Sequence, residues 1–70
     1  MPITIPSAAE ARTVLEGIYP GMALSDGVIE LSRYRIAIGL NPHPSDNIAL
    51  EKMIKKMINH ENRLDALENP

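Results

Sequence analysis

Apolar side chains recur at helical spacing in two stretches of this chain and follow no single spacing in a third. The longest pattern runs from residue 46 to residue 68. Written as heptads, Leu50, Met57 and Leu64 take the a positions, and Met53, His60 and Leu67 take the d positions. Ile54 and Ile58 lie beside that seam and widen the apolar face. Ser45, Asp46 and Asn47 are all good N-caps, so the pattern predicts a helix over about 46–68, the longest in the chain. Glu51 and Lys55 sit four apart, the spacing of a favourable ion pair on one helix. The width of the face suggests two tasks. Ile54 and Ile58 would close the chain's own core, and the seam would meet a partner.

The second clear pattern is Ala8, Ala11, Val14, Leu15 and Ile18, which predicts a helix over about 8–16. Ser7-Ala-Ala-Glu10 in front of it reads as a capping box, in which Ser7 accepts from the Glu10 backbone and Glu10 reaches back to the Ser7 N–H. Gly17 fits the residue just past the end. Residues 1–6 form an extended lead, because Pro2 and Pro6 disfavour helix before them. Pro20-Gly21 marks a turn.

Residues 22–40 carry two patterns at once. A helix over about 26–38, capped by Ser25 or Asp26, puts Leu24, Val28, Leu31, Tyr34 and Ile38 on one stripe and ends at Gly39. A hairpin between about 22 and 38 would use Asp26-Gly27 as its turn and the strand-favouring Val28, Ile29, Tyr34, Ile36 and Ile38. Alternation slips in phase across Ile29-Glu30-Leu31-Ser32, which would turn one set of side chains to the wrong face. The helix explains more. Residues 39–45 hold Pro42 and Pro44 and read as a stiff connector. The expectation is an all-α fold of three helices in a single small domain over 1–70, with an α+β arrangement as the alternative.

Composition changes this picture by removing staples. A 70-residue chain is near the lower size at which a domain folds alone. It has no cysteine, so disulfides and thiolate zinc sites are out, and its only aromatic residues are Tyr19 and Tyr34. Association with another chain is the economical way to bury more surface. A homodimer or higher homo-oligomer is therefore expected through Leu50, Met53, Met57, His60, Leu64 and Leu67. Lys56 and Arg63 fall at g positions, and Glu61 and Glu68 at e positions, so a parallel pair would bring opposite charges together. Coarse charge segregation favours antiparallel pairing, and fewer than three heptads leave the direction open. His60 is a space-filling d residue or, if protonated, a charge introduced into an apolar seam.

The net charge of −2 is mild, but it is unevenly spread: −3 over residues 1–32, +3 over 33–56 and −2 over 57–70. Arg33, Arg35, Lys52, Lys55 and Lys56 make the basic middle, a patch for an acidic partner surface or for nucleic acid. Nucleic-acid binding has less support, because the chain is acidic overall and nearly without stacking aromatics. No catalytic, cofactor-binding or metal-binding residues are assigned. His60-Glu61 begins like a zinc-protease helix, but Leu64 stands where the second histidine is needed. The four glycines match no phosphate-binding loop, and His43 lies between two prolines without ligand partners at useful spacing. No apolar run approaches a membrane span and no leader pattern opens the chain, which makes the cytoplasm the default expectation. The function expected is that of a small non-enzymatic protein–protein interaction module. It would self-associate through the last helix and act as a regulator or inhibitor, as phage or bacterial accessory proteins do, by docking on a larger protein. A small nucleic-acid-binding transcriptional regulator using residues 33–56 is the alternative.

Overall fold

In the computed structural model of the protein, which describes residues 2–68, each helix starts at a side chain that the sequence offers as a cap. The helices are α1, Ala8–Ile18, α2, Asp26–Ala37, and α3, Ile48–Glu68. Ser7 Oγ accepts from the Glu10 N–H at 3.2 Å, Ser25 Oγ from the Val28 N–H at 3.2 Å, and Asn47 Oδ1 from the Leu50 N–H at 3.1 Å. The Glu10 carboxylate accepts from the Ser7 hydroxyl at 3.3 Å, where a capping box would have it engage the Ser7 backbone.

The helix ends follow from backbone chemistry as directly. α1 runs through Gly17 to Ile18, past its expected end, and closes with the Tyr19 N–H on the Leu15 carbonyl at 2.7 Å. The chain then reverses at Pro20-Gly21. The Tyr19 carbonyl accepts from the Met22 N–H at 3.2 Å, and Gly21 sits at φ 82°, which is a type II turn with proline and glycine in their favoured places. At the end of α2, Gly39 takes φ 77°. The Leu40 N–H donates to the Arg35 carbonyl at 2.9 Å and the Gly39 N–H to the Ile36 carbonyl at 3.2 Å, the two bonds of a Schellman stop. No strand forms among the described residues, so residues 22–38 take the helical reading and the hairpin alternative falls.

α2 packs against both α1 and α3, and those two do not pack on one another. This position explains the mixed pattern of residues 22–40. A helix covered on two sides has no single apolar stripe, and every residue from Val28 to Ile38 is buried or half-buried. The contact with α1 is apolar: Ala11, Leu15 and Ile29 are buried together, with Tyr19, Leu24, Val28 and Ile36 against them. Across the contact with α3, Ile58 and Tyr34 are buried, and the Lys55 ammonium lies 5.6 Å from the Tyr34 ring centre.

The extended lead straps the helices. Its Ile3 backbone pairs with the Asn62 side chain of α3, the N–H donating to Oδ1 at 2.6 Å and the carbonyl accepting from Nδ2 at 2.9 Å. A carboxamide carries the same donor and acceptor as a peptide group, so Asn62 supplies one rung of a two-bond ladder. Arg33 Nε of α2 donates to the Pro6 carbonyl at 2.8 Å. The lead thus touches α3, crosses α2 and enters α1. Asn62→Leu is expected to remove both hydrogen bonds and cost about 1–3 kcal/mol. Faster amide exchange at Ile3, with α1–α2 protection unchanged, is the readout in hydrogen-exchange measurements.

Candidate interaction surface

The outer face of α3 is defined by what holds its inner face. Glu51, in the first turn of α3, is only 2% exposed. Arg35, near the end of α2, meets it side on. Nε donates at 2.8 Å and 2.9 Å to the two carboxylate oxygens, and Nη2 donates to Oε1 as well. The Ser45 N–H and hydroxyl donate to the same Oε1 at 2.9 Å and 3.0 Å. Arg35 Nη1 donates to the Asn41 carbonyl at 3.2 Å. One ion pair therefore ties together the end of α2, Asn41 and Ser45 of the 39–45 connector and the start of α3. The guanidinium, with the Ser45 donors, holds the Glu51 carboxyl down at about 2 against the opposing effect of burial.

Beside the buried Ile58, the inner face makes a second polar contact with α2. Lys55 reaches Glu30 of α2 at 3.4 Å, and Arg33 reaches the same carboxylate at 2.8 Å. Those two cations lower the Glu30 pKa, Arg33 through the stronger hydrogen bond. Glu51 and Lys55, four apart on α3, thus point to different partners on α2 and do not form the local pair their spacing suggested.

Roughly 140° around α3 from the Glu51–Ile58 line, at 100° per residue, the apolar seam faces outward. Leu50 is 44% exposed, Met53 66%, Met57 51%, Leu64 39% and Leu67 70%, and His60 is exposed among them. The seam is open from end to end within the single chain. Lys56 and Arg63 border it on one side, Glu61 and Glu68 on the other, and none of the four makes an ion pair within the chain among the described residues.

This open face matches an excess of surface. The accessible area is 4834 Å², whereas a folded monomer of this mass exposes about 4,300 Å². The radius of gyration is 12.8 Å, against about 11 Å for a compact domain of this length. Five apolar side chains are buried and ten large ones are exposed among the described residues, so the chain's own core takes up only part of its apolar bulk.

The five basic residues of 33–56 do not stand alike. Arg35 is turned inward, its side chain 13% exposed, while Arg33 and Lys55 share Glu30, which leaves Lys52 and Lys56 with no ion pair among the described residues. His43 is held by its loop. Its Nδ1 lies 2.8 Å from the Pro44 carbonyl, and its ring meets Tyr19 edge-on at 5.7 Å. Tyr19 in turn donates its hydroxyl to Asn41 Oδ1 at 2.7 Å, which clips the connector to the end of α1. Among the described residues no group of three or more His, Asp or Glu is placed to hold a metal, and no helix is long and apolar enough to cross a membrane.

The Arg35–Glu51 bond gives a pH signature. A folded-state pKa depressed from 4.5 to about 2 means stability that is present above about pH 4.5 and is lost as pH falls toward 2. Glu51→Gln is expected to lower stability at neutral pH and to flatten most of that acid loss, as read by urea unfolding at a series of pH values. Arg35→Met, which strands a buried carboxylate, should cost about 3–5 kcal/mol. That compares with a total of about 4–10 kcal/mol for a chain this size, so urea unfolding followed by circular dichroism should show a midpoint lowered by roughly half. The chain matches no protein-family model, no curated protein and no solved structure.

Proposed function

We propose that the chain is a small, non-enzymatic protein–protein interaction module that self-associates through the outer face of α3 and acts as a regulator or inhibitor by docking on a larger protein. The carrying observation is the continuous seam Leu50–Met53–Met57–Leu64–Leu67, open to solvent on a helix whose other face is already engaged. A single exposed leucine means little, but an apolar row broken only by His60 and bordered by a charged rim is the anatomy of a binding surface. Two methionines in that row add adaptability, which suits a surface that takes both a second copy and a different protein.

The test is sedimentation across the micromolar range. The chain should move as a species heavier than its 7.7 kDa mass, and Met53→Asp with Leu64→Asp should return it to monomer with its helical circular dichroism intact. A monomer at every concentration would sink the self-association. Retention of one partner protein from a host lysate, lost in the same double variant, would support docking through the seam.

The nucleic-acid reading has less behind it. Three of its five cations are engaged inside the chain. Two remaining phosphate contacts would give a salt slope of only about −2 in log affinity against log salt concentration. A measured slope near −5 on duplex DNA would reinstate it.

A further inference from the structure

We propose that two copies of this chain pair through α3 in parallel and in register, with Lys56 facing Glu61 of the second copy and Arg63 facing Glu68 of the second copy. This rests on the reading of the α3 seam as a self-association surface and adds its geometry. The apolar row alone cannot set the direction. From Leu50 to Leu67 the alternating 3–4 spacing is symmetric end for end. An antiparallel pair would seat Leu50 against Leu67, Met53 against Leu64 and Met57 against His60 just as well.

The rim breaks that symmetry. In a parallel pair each g residue lies beside the e residue of the next heptad in its partner. Lys56 then meets Glu61, Arg63 meets Glu68, and two-fold symmetry makes four attractive pairs. In an antiparallel pair g lies beside g, so Lys56 meets Arg63 twice, and Glu61 falls beside the apolar Ile54. These are the same four charges that lack an ion pair within the chain among the described residues. Lys55, which would otherwise crowd the basic side, is drawn away to Glu30. α2 and the lead lie on the inner face, with the Ile3–Asn62 and Arg35–Glu51 contacts, so the fold leaves the outer face clear for a second helix.

The chain has no native cysteine, which makes single-cysteine crosslinking unambiguous. Leu50→Cys and Leu67→Cys, each alone, should form a disulfide-linked dimer under mild oxidation, since register places each residue opposite its own copy. Residues 50 and 67 are about 26 Å apart along the helix, far beyond the roughly 7 Å that a disulfide spans. Crosslinking only in a mixture of the two variants would therefore overturn the parallel arrangement while leaving self-association standing. Charge reversal checks the same point without a cysteine. Lys56→Glu should weaken the dimer roughly tenfold, two attractive pairs becoming repulsive, and Lys56→Glu with Glu61→Lys should restore it. Tighter association of Lys56→Glu would instead favour the antiparallel pair, because residue 56 would then attract Arg63. A sedimentation result of monomer throughout would remove both this pairing and the self-association on which it rests.

Discussion

The arrangement of α3 depends on one buried ion pair, Arg35 with Glu51. The α1–α2 contact is closed by apolar side chains and needs no direction beyond their shapes. The α2–α3 contact is different, because an ionised carboxylate sits at 2% exposure at its connector end. Such a group is tolerated only when its oxygens are saturated, and here Arg35 and Ser45 supply five donor contacts. A buried pair of this kind adds little net stability over an apolar replacement, since desolvation offsets most of the attraction. Its contribution is geometric. Nε and Nη2 fix the guanidinium plane, Ser45 fixes the last residues of the connector, and the two together set where α3 begins and how it is rotated about its axis.

That rotation distributes the chain's apolar bulk. With Glu51, Ile58 and Asn62 turned inward, the a and d residues must turn outward, because both rows belong to one helix of fixed pitch. The core left to the single chain is small. Ala11, Leu15 and Ile29 form its centre, and neither tyrosine belongs to that centre. The surface excess of roughly 500 Å² over a typical monomer of this mass is the arithmetic counterpart of that partition.

Much of the fold was legible because it is written in local rules. Ser7, Ser25 and Asn47 cap the helices, Pro20-Gly21 and Gly39 end segments through backbone conformations that a sequence can announce, and α3 carries a periodic pattern over its whole length. α2 was ambiguous for a physical reason: contact on both sides erases the one-sided periodicity on which sequence reading relies. The Arg35–Glu51 bond has no local signature. It joins residues sixteen apart through a connector whose path no local rule specifies, and Arg33 and Arg35 look alike in sequence although one lies against the lead and the other against α3. One signal was present. Glu51 lies seven residues before Ile58 and three before Ile54, on the face assigned to the core, and a carboxylate on that face requires a cation from another element. The pairing Glu51–Lys55, plausible on an isolated helix, concealed that requirement.

The alternative rotation of α3 shows why the seam stays out. Turning the helix by roughly 140° would bring Leu50, Met53, Met57 and Leu64 onto α2 and give the single chain a larger apolar core. It would also carry Glu51 to the outside and leave Arg35, held at 13% exposure beside the connector, without its carboxylate. Ser45 would lose the acceptor of both its N–H and its hydroxyl, and Glu30 would lose Lys55. Those four side chains would gain at most about 1.5–3 kcal/mol each, offset by exposing Ile58, now fully buried, by about 3–5 kcal/mol for an unpaired charge in the old site and by about 1–3 kcal/mol for each orphaned donor. The gain would come from side chains that must also fit a surface shaped around Tyr34 and Ile36, and it would place His60 against α2. Polar matching on the inner face therefore determines which face α3 offers to solvent, and the apolar seam is open as a consequence of where one carboxylate is held.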